Sequence, residues 1–203
     1  MTARRWPGRL VALEGIDGAG KTTLVRALAR RLRSEGRTVA VRREPADPRL
    51  GRLAQRASVR DPWTGAVYFT LDRWLARRAL EDALRRHAIV LTDRSFYSTL
   101  AYQGSALGPA ARRRLRRLQS AATVRPDLVL WIDVPPADAL RRLGRRGGPR
   151  SPLERRRVLG RVAAEYRRLA RAPDWRRLDG TAPPAELLAA AGAAIARRTR
   201  TRT

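Results

Sequence analysis

The chain has 203 residues, of which 43% are hydrophobic, so it is long enough for one globular domain with a sizeable core. It contains no cysteine, which excludes disulfide bonds, thiolate catalysis and cysteine-ligated zinc. Its formal net charge is +27, but its arginines occur in nearly every segment, whereas a dedicated nucleic-acid surface concentrates charge on one element. We therefore expect a solvated basic surface and no specific nucleic-acid partner.

Apolar, strand-like runs alternate with helical patterns along the chain. In chain order, the sequence predicts a strand at 9–15, a helix at 21–36, a strand at 38–44, a helix from 61 to about 87, a strand at 87–93, a helix at 109–123, a strand at 126–134, helices at 136–144 and 152–171, a strand at 174–180 and a helix at 183–198. This alternation is typical of βαβ units. We therefore predict an α/β fold, a three-layer αβα arrangement around a five-stranded parallel sheet.

No linker or internal repeat divides the chain, so we predict a single domain over residues 1–203. The glycine-rich, basic segment at about 144–152 is predicted to be a mobile loop, and the basic tail at 197–203 to be flexible. No apolar run approaches the length that spans a bilayer, and charged residues, proline and glycine interrupt the first apolar stretch. We expect a cytoplasmic protein without a membrane partner.

Residues 15–22, GIDGAGKT, fit the phosphate-binding pattern G-x-x-x-x-G-K-[ST] between a predicted strand and a predicted helix. Glycines let such a loop curl so that its N–H groups face phosphate oxygens, and the helix N-terminus adds positive potential. Lys21 would reach the β- and γ-phosphates, and the Thr22 hydroxyl is a candidate Mg²⁺ ligand. We expect the ATP phosphates to be surrounded by Gly15, Gly18, Ala19, Gly20, Lys21, Thr22 and Thr23.

Lys21 is the only lysine of the chain, and every other basic side chain apart from His87 is arginine. A compact ammonium fits inside a curled loop, whereas a guanidinium is bulkier and forks its donors. We infer that lysine was kept where arginine does not fit. The single lysine also excludes the N/T-K-x-D element with which GTPases bind guanine, and large ATPase motors need a longer chain. A small P-loop kinase therefore remains the leading class.

Four separated segments together resemble the thymidylate kinase family: LEGIDGAGKTT at 13–23, RREP at 42–45, YFTLDRW at 68–74 and TDRSFYSTLAYQG at 92–104. The resemblance implies a P-loop kinase fold with a small arginine-rich lid at about 144–152. It also implies transfer of the γ-phosphoryl group of ATP to dTMP, giving dTDP and ADP, with Mg²⁺ and in a homodimer.

The same resemblance implies which side chains bind the sugar and phosphate of dTMP. Asp17 corresponds to an acid that binds the 3′-hydroxyl, and Tyr102 to a residue that packs where a 2′-hydroxyl would lie. Arg43 corresponds to an arginine that clamps the 5′-phosphate. Its neighbour Arg42 is an alternative, since two adjacent arginines give no way to choose.

The resemblance assigns a second group of residues to the thymine base. Phe69 would stack on the ring, and Arg73, one helical turn later, would bind its carbonyl edge. Thr99 and Gln103 match positions around the thymine and sugar.

The resemblance also implies the residues that handle the transferred phosphoryl group. Arg94 corresponds to an arginine that bridges the phosphates of the two substrates, and Asp93 supports the Mg²⁺–water shell. Some family members carry a catalytic arginine at the position of Gly18. Its absence here implies the bacterial-type arrangement, in which lid arginines close over ATP. Alignment of VAAEY at 162–166 places Arg145 and Arg150 at those lid positions, with Arg142 a candidate to stack on adenine.

Three segments depart from the family pattern. RREPADPRL lacks the usual glycines after the proline, GGPRSP stands where the lid usually carries acids, and serine follows Asp93-Arg94 where an aromatic residue is commoner. Two alternatives stay open at this point. One is another small nucleotide or nucleoside kinase on the same fold, and the other is a basic P-loop protein that binds nucleic acid without turnover.

Overall fold

A computed structural model describes residues 6–146 and 151–200 of the chain. The described part contains five strands, β1 Arg9–Glu14, β2 Val39–Arg43, β3 Ile89–Asp93, β4 Leu128–Asp133 and β5 Trp175–Asp179. Its α-helices are α1 Lys21–Ser34, α2 Pro48–Arg60, α3 Pro62–Arg86, α4 Phe96–Tyr102, α5 Pro109–Ala122, α6 Pro136–Arg146, α7 Arg156–Leu169 and α8 Pro184–Arg200. Short 3-10 turns lie at Gly104–Ala106 and Pro152–Glu154.

The five strands form one parallel sheet in the order β2-β3-β1-β4-β5, which confirms the predicted α/β fold. β1 therefore lies between β3 and β4, and the order reverses beside it. Ligands of open parallel sheets bind outside the carboxyl ends of the strands at such a point. The register aligns Leu13 and Arg43 with Asp93, so the residues that follow these strand ends meet at one edge.

The core is built from the central strands and the helix faces that cover them. β1, β3 and β4 are almost entirely buried, as expected for strands covered by helices on both sides. On α1, Leu24, Leu28 and Leu32 form the buried stripe that the helical spacing predicts. This packing fixes α1, and with it the phosphate-binding loop, against the sheet.

Two helices were not predicted. α2 follows Asp47, whose Oδ1 accepts hydrogen bonds from the N–H groups of Arg49 and Leu50 at 2.6 and 3.2 Å, with Pro48 in the first turn. The same aspartate–proline signal correctly placed the start of α3 at Asp61. α4 has only seven residues, Phe96–Tyr102, all of them buried, so it shows no amphipathic periodicity.

Several predicted boundaries shift. α6 runs to Arg146, two residues beyond the prediction, and the helix predicted over 152–171 is a 3-10 turn followed by α7. α8 continues to Arg200, so the first part of the tail predicted to be flexible is helical. Residues 147–150 of the predicted mobile loop lie outside the described residues, as do 201–203. In the part of the chain that the structure describes, no helix combines the length and the apolar character that crossing a membrane requires.

Candidate active site

The phosphate-binding loop joins β1 to α1 at the carboxyl edge of the sheet. Gly18 has a φ of 82°, and a Cβ atom there would lie 2.4 Å from the carbonyl oxygen of Ala139 on α6. Position 18 is therefore restricted to glycine both by its left-handed backbone and by its close packing. Gly20, with a φ of 93°, caps the N-terminus of α1, so the N–H groups of the first turn face the loop.

Lys21 lies inside this loop and is only 6% exposed. Its Nζ donates to the carbonyl oxygens of Gly15 at 3.0 Å and Ile16 at 2.9 Å. Burial, and then the positive charge of Arg94, lower the pKa of the Lys21 ammonium to about 8. An anionic ligand in the loop would oppose both effects.

Thr22 and Asp93 bring two oxygen-bearing side chains together beside the loop. Oγ1 of Thr22 donates to Oδ2 of Asp93 at 2.5 Å, although 71 residues separate them. Asp93 ends β3 and is 5% exposed, whereas Thr22 is exposed. Within the described ranges, no group of three or more histidine, cysteine, aspartate or glutamate residues is arranged to hold a metal ion.

Arg94 follows β3 with a φ of 78°, a left-handed conformation that is costly for a residue other than glycine. Two hydrogen bonds hold this backbone in place. The Arg94 N–H donates to the carbonyl oxygen of Leu13 at 3.0 Å, and the Thr92 hydroxyl donates to the Arg94 carbonyl oxygen at 2.8 Å. The turn thus directs the arginine side chain toward the phosphate-binding loop.

The Arg94 guanidinium is held at both of its terminal nitrogens. Nη2 donates to Oδ1 of Asp17 at 2.5 Å, and Nη1 donates to Oγ of Ser98 at 2.9 Å. Its Cζ lies 5.3 Å from the centroid of the Tyr102 ring, within cation–π range.

Asp17 and Tyr102 form a second close pair. The Asp17 N–H donates to the Tyr102 hydroxyl at 2.8 Å, and this hydroxyl donates to Oδ2 of Asp17 at 2.8 Å. Burial by itself would raise the pKa of Asp17, but the charges of Arg94 and Lys21 and the bond from Tyr102 hold that pKa below its usual value. Burial and then the negative charge of Asp17 raise the pKa of the Tyr102 phenol. Asp17 is thus ionised and Tyr102 neutral near pH 7.

All of the residues predicted for the acceptor nucleotide line one open cavity. They are Asp17, Arg43, Phe69, Arg73, Arg94, Thr99, Tyr102 and Gln103. Oγ1 of Thr99 is buried there without a hydrogen-bond partner among the described residues. Since a buried hydroxyl is normally satisfied, Thr99 departs from the usual pattern.

A second cavity contains the phosphate-binding loop. It is lined by most of the residues predicted for ATP, namely Gly18, Gly20, Lys21, Thr22, Thr23 and Arg142, and by Asp93. Arg142 extends over it from α6, and its Nη2 donates to the carbonyl oxygen of Gly180 at 2.8 Å. The two cavities share three residues, Asp17, Arg43 and Arg94. Of the two adjacent arginines, Arg43 lines both cavities and Arg42 lines neither.

Arg73 is 8% exposed, and its side chain is fixed by three acceptors. Nε donates to Oε2 of Glu44 at 2.5 Å, Nη1 to Oε1 of Gln119 at 3.3 Å and Nη2 to the carbonyl oxygen of Ser95 at 3.2 Å. Burial raises the pKa of Glu44, although the charge of Arg73 opposes this. Arg73, which lines the same cavity, is therefore held in one orientation.

The sequence analysis missed several buried polar residues that shape the site, among them Glu14, Asp72 and Gln119. Asp72 accepts the N–H groups of Ala46 and Asp47 at 2.8 and 2.7 Å, so α3 holds the loop that lacks the usual glycines. A signal was available for Glu14 and Asp72, because both acids lie inside the motifs that carry the resemblance. For Gln119 on α5 the sequence gives no signal.

The structure says less about the two arginines predicted for the lid. Arg145 lies near the end of α6 with an exposed side chain. Arg150 lies outside the described residues. Both assignments stay predictions.

A sequence model of a protein family described as "Thymidylate kinase" matches residues 13–190. The chain belongs to the thymidylate kinase family. It is 37% identical over 193 residues to the thymidylate kinase of Xylella fastidiosa (strain 9a5c), covering 92% of this chain and 89% of that protein. It is 36% identical over 194 residues to the probable thymidylate kinase of Methanospirillum hungatei JF-1, covering 92% and 93%.

A third relative, the probable thymidylate kinase of Archaeoglobus fulgidus, is 38% identical over 148 residues, or 72% of this chain and 74% of that protein. These matches confirm the resemblance that the four segments indicate. Membership of the thymidylate kinase family implies a phosphotransferase with ATP as the phosphate donor. These matches do not favour the two alternatives left open by the sequence, another small nucleotide or nucleoside kinase and a nucleic-acid-binding protein without turnover.

Proposed function

We propose that the protein is a thymidylate kinase that transfers the γ-phosphoryl group of ATP to dTMP, giving dTDP and ADP. One observation carries the proposal: the cavity around Phe69 and the cavity of the phosphate-binding loop meet at Asp17, Arg43 and Arg94. Phosphoryl transfer needs donor and acceptor phosphates side by side with their charge neutralised. Two guanidinium groups at the junction of two cavities provide for both needs.

On the donor side, the loop N–H groups and Lys21 bind the ATP phosphates, and Arg142 packs on the adenine. Thr22 and Asp93 suit Mg²⁺, which prefers hard oxygen ligands and keeps several waters and phosphate oxygens beside one or two protein groups. Bound there, Mg²⁺ would neutralise charge on the ATP phosphates.

On the acceptor side, Phe69 stacks on thymine and Arg73, held by its three acceptors, donates to the carbonyl edge of the base. Thr99 and Gln103 complete the surroundings of the base and sugar. Tyr102 and Asp17 hold the deoxyribose, with Asp17 toward the 3′-hydroxyl, and Arg43 clamps the 5′-phosphate.

In the reaction, an oxygen of the dTMP phosphate attacks the γ-phosphorus, and the bond from that phosphorus to the β–γ bridging oxygen breaks. The bridging oxygen leaves with the electron pair as part of ADP. No covalent enzyme intermediate is needed, since the acceptor phosphate is already a nucleophile. Arg94 contacts both phosphates, and arginines of the lid, Arg145 and Arg150, stabilise the developing charge. The close packing around Gly18 supports the assignment of this role to arginines of the lid, because an arginine at position 18 would collide with Ala139.

We further propose that the protein is a homodimer joined through α2 and α3. On α3, Val67, Leu71, Trp74 and Leu75 recur at helical spacing and are 40–60% exposed. On α2, Leu53 and Val59 are 47% and 53% exposed. Exposed apolar residues on two helices that pack against each other mark an interface, and a second copy of the chain supplies a matching apolar surface.

ADP release with ATP and Mg²⁺ tests the proposed activity, using dTMP, dUMP, UMP, CMP, AMP or no acceptor. We expect dTMP to give the largest stimulation over the blank. No stimulation by dTMP, or a clear preference for AMP, contradicts the proposal. We also propose a cytoplasmic enzyme without a specific nucleic-acid partner, so DNA binding should be lost at moderate salt.

A further inference from the structure

Glu14 is the last residue of β1, directly before the phosphate-binding loop, and it is 0% exposed. Removing a carboxylate from water is costly unless hydrogen bonds replace the lost hydration. The structure provides those bonds, and their arrangement indicates what the buried acid does.

Four donors converge on the Glu14 carboxylate. The N–H and the hydroxyl of Ser95 each donate to Oε1 at 2.7 Å. The hydroxyls of Ser98 and Tyr166 donate to Oε2 at 2.7 and 2.8 Å. Both oxygens thus receive two bonds, from the turn after β3, from α4 and from α7.

One of these bonds leads to Arg94. The Ser98 hydroxyl gives its single hydrogen to Glu14, while its oxygen accepts Nη1 of Arg94 at 2.9 Å. A hydroxyl that donates to a carboxylate becomes a stronger acceptor, because consecutive hydrogen bonds polarise one another. The negative charge of Glu14 therefore strengthens the bond that holds Arg94, while Asp17 holds the other terminal nitrogen.

We propose that Glu14 is a positioning residue that acts through Ser98 to fix the Arg94 guanidinium between the donor and acceptor phosphates. This inference rests on the proposed function, which assigns Arg94 to both phosphates. A purely structural Glu14 would support the fold equally well whatever side chain occupies position 94. The two roles therefore differ in their dependence on Arg94.

A double-mutant cycle separates them. Glu14→Gln and Arg94→Met are made singly and together, and kcat/KM for dTMP is measured at saturating ATP. We expect Glu14→Gln to lower kcat/KM about tenfold when Arg94 is present and less than about twofold when it is methionine. Equal losses in the two backgrounds overturn the inference.

Ser98→Ala repeats the cycle with a milder change, in case Glu14→Gln impairs folding. It removes the bridge and leaves Glu14 three donors, so the same Arg94-dependent loss is expected. Ser105→Ala is the matched control, because the Ser105 hydroxyl donates to the carbonyl oxygen of Tyr102 and not to this network. A loss for Ser98→Ala no larger than for Ser105→Ala counts against the inference.

Urea unfolding of the four cycle proteins gives a readout that needs no activity. The midpoint should fall further for Glu14→Gln in the Arg94 protein than in the Arg94→Met protein. If the midpoint shifts of the two single variants simply add up in the double variant, the positioning inference is overturned. The proposed function can also fail separately. If the unaltered protein does not phosphorylate dTMP but the urea midpoints are non-additive, the proposed function is overturned and the link between Glu14 and Arg94 is supported.

Discussion

Nη2 of Arg94 lies 2.5 Å from Oδ1 of Asp17, although 77 residues separate the two in the sequence. Both residues line the cavity around Phe69 and the cavity of the phosphate-binding loop, so one ion pair borders both proposed substrates. Asp17 comes from the phosphate-binding loop and Arg94 from the turn after β3. The parallel register of β1 and β3 brings these two turns together.

Replacing Asp17 by asparagine should lower kcat/KM for dTMP about 10- to 100-fold, because asparagine has no charge for Arg94 and is a weaker acceptor for the 3′-hydroxyl. The loss should be smaller with 3′-deoxy-dTMP, which lacks that hydroxyl. Steady-state kinetics with both acceptors measure the difference. Equal losses would show that Asp17 does not bind the 3′-hydroxyl.

Replacing Lys21 by arginine should reduce kcat about 100-fold or more while the melting temperature changes little. The ammonium donates to Gly15 and Ile16 inside the loop and is 6% exposed, so the larger guanidinium cannot take its place. Arg113→Lys, on the exposed face of α5, is the matched control and should leave kcat unchanged. A Lys21→Arg protein with near-normal turnover would contradict our explanation of the single lysine.

The pH dependence of kcat/KM for ATP should reflect Lys21. Its pKa of about 8 in the free protein predicts a fall in kcat/KM as pH rises above about 8, while bound phosphates should keep kcat constant to higher pH. If kcat falls in parallel with kcat/KM as pH rises, the fall does not come from Lys21 of the free protein.

Stability gives a second test of the Lys21 pKa. The pKa of Lys21 is about 8 in the folded protein and 10.5 in the unfolded chain. Between pH 8 and pH 10.5 the unfolded chain therefore binds more protons than the folded protein. The free energy of unfolding should therefore gain a favourable contribution as pH rises from about 8 to about 10.5. Urea titrations should show a weaker rise in Lys21→Met, and an identical pH profile would contradict the lowered pKa.

Replacing Gly18 by arginine should destabilise the protein and abolish turnover, not supply a catalytic arginine. The new Cβ would lie 2.4 Å from the Ala139 carbonyl oxygen, and a φ of 82° is unfavourable for arginine. The matched control is Gly160→Ala on α7, where a Cβ meets nothing within 4 Å and helix propensity improves. Thermal melts and ADP release measure both variants, and an active Gly18→Arg protein would refute the packing argument.

Replacing Trp74 by glutamate should convert the proposed dimer to a monomer, because Trp74 is 60% exposed within the apolar face of α3. Sedimentation velocity measures the change in mass. Arg113→Glu controls for the added negative charge and should leave the mass unchanged. If the unaltered protein already sediments as a monomer, the dimer proposal is wrong.

Much of the site was predictable because its signals are local. The phosphate-binding loop shows its glycines, lysine and threonine within eight residues, and β1, β3 and β4 show as short apolar runs. α2 was missed although Asp47-Pro48 carries the same capping signal as Asp61-Pro62. α4 could not be found from periodicity, since a seven-residue helix that is buried all round has no polar face.

The sequence by itself determined the parallel α/β fold and the phosphate-binding loop, because periodicity and motif spacing depend on neighbours along the chain. The residues assigned to the acceptor nucleotide came from the family resemblance and stay predictions. Tertiary structure alone decided that Arg43 and not Arg42 lines both cavities. It also decided that Gln119 orients Arg73 and that four donors surround Glu14. Such contacts join side chains 46 to 152 residues apart, and strand order and helix packing set them.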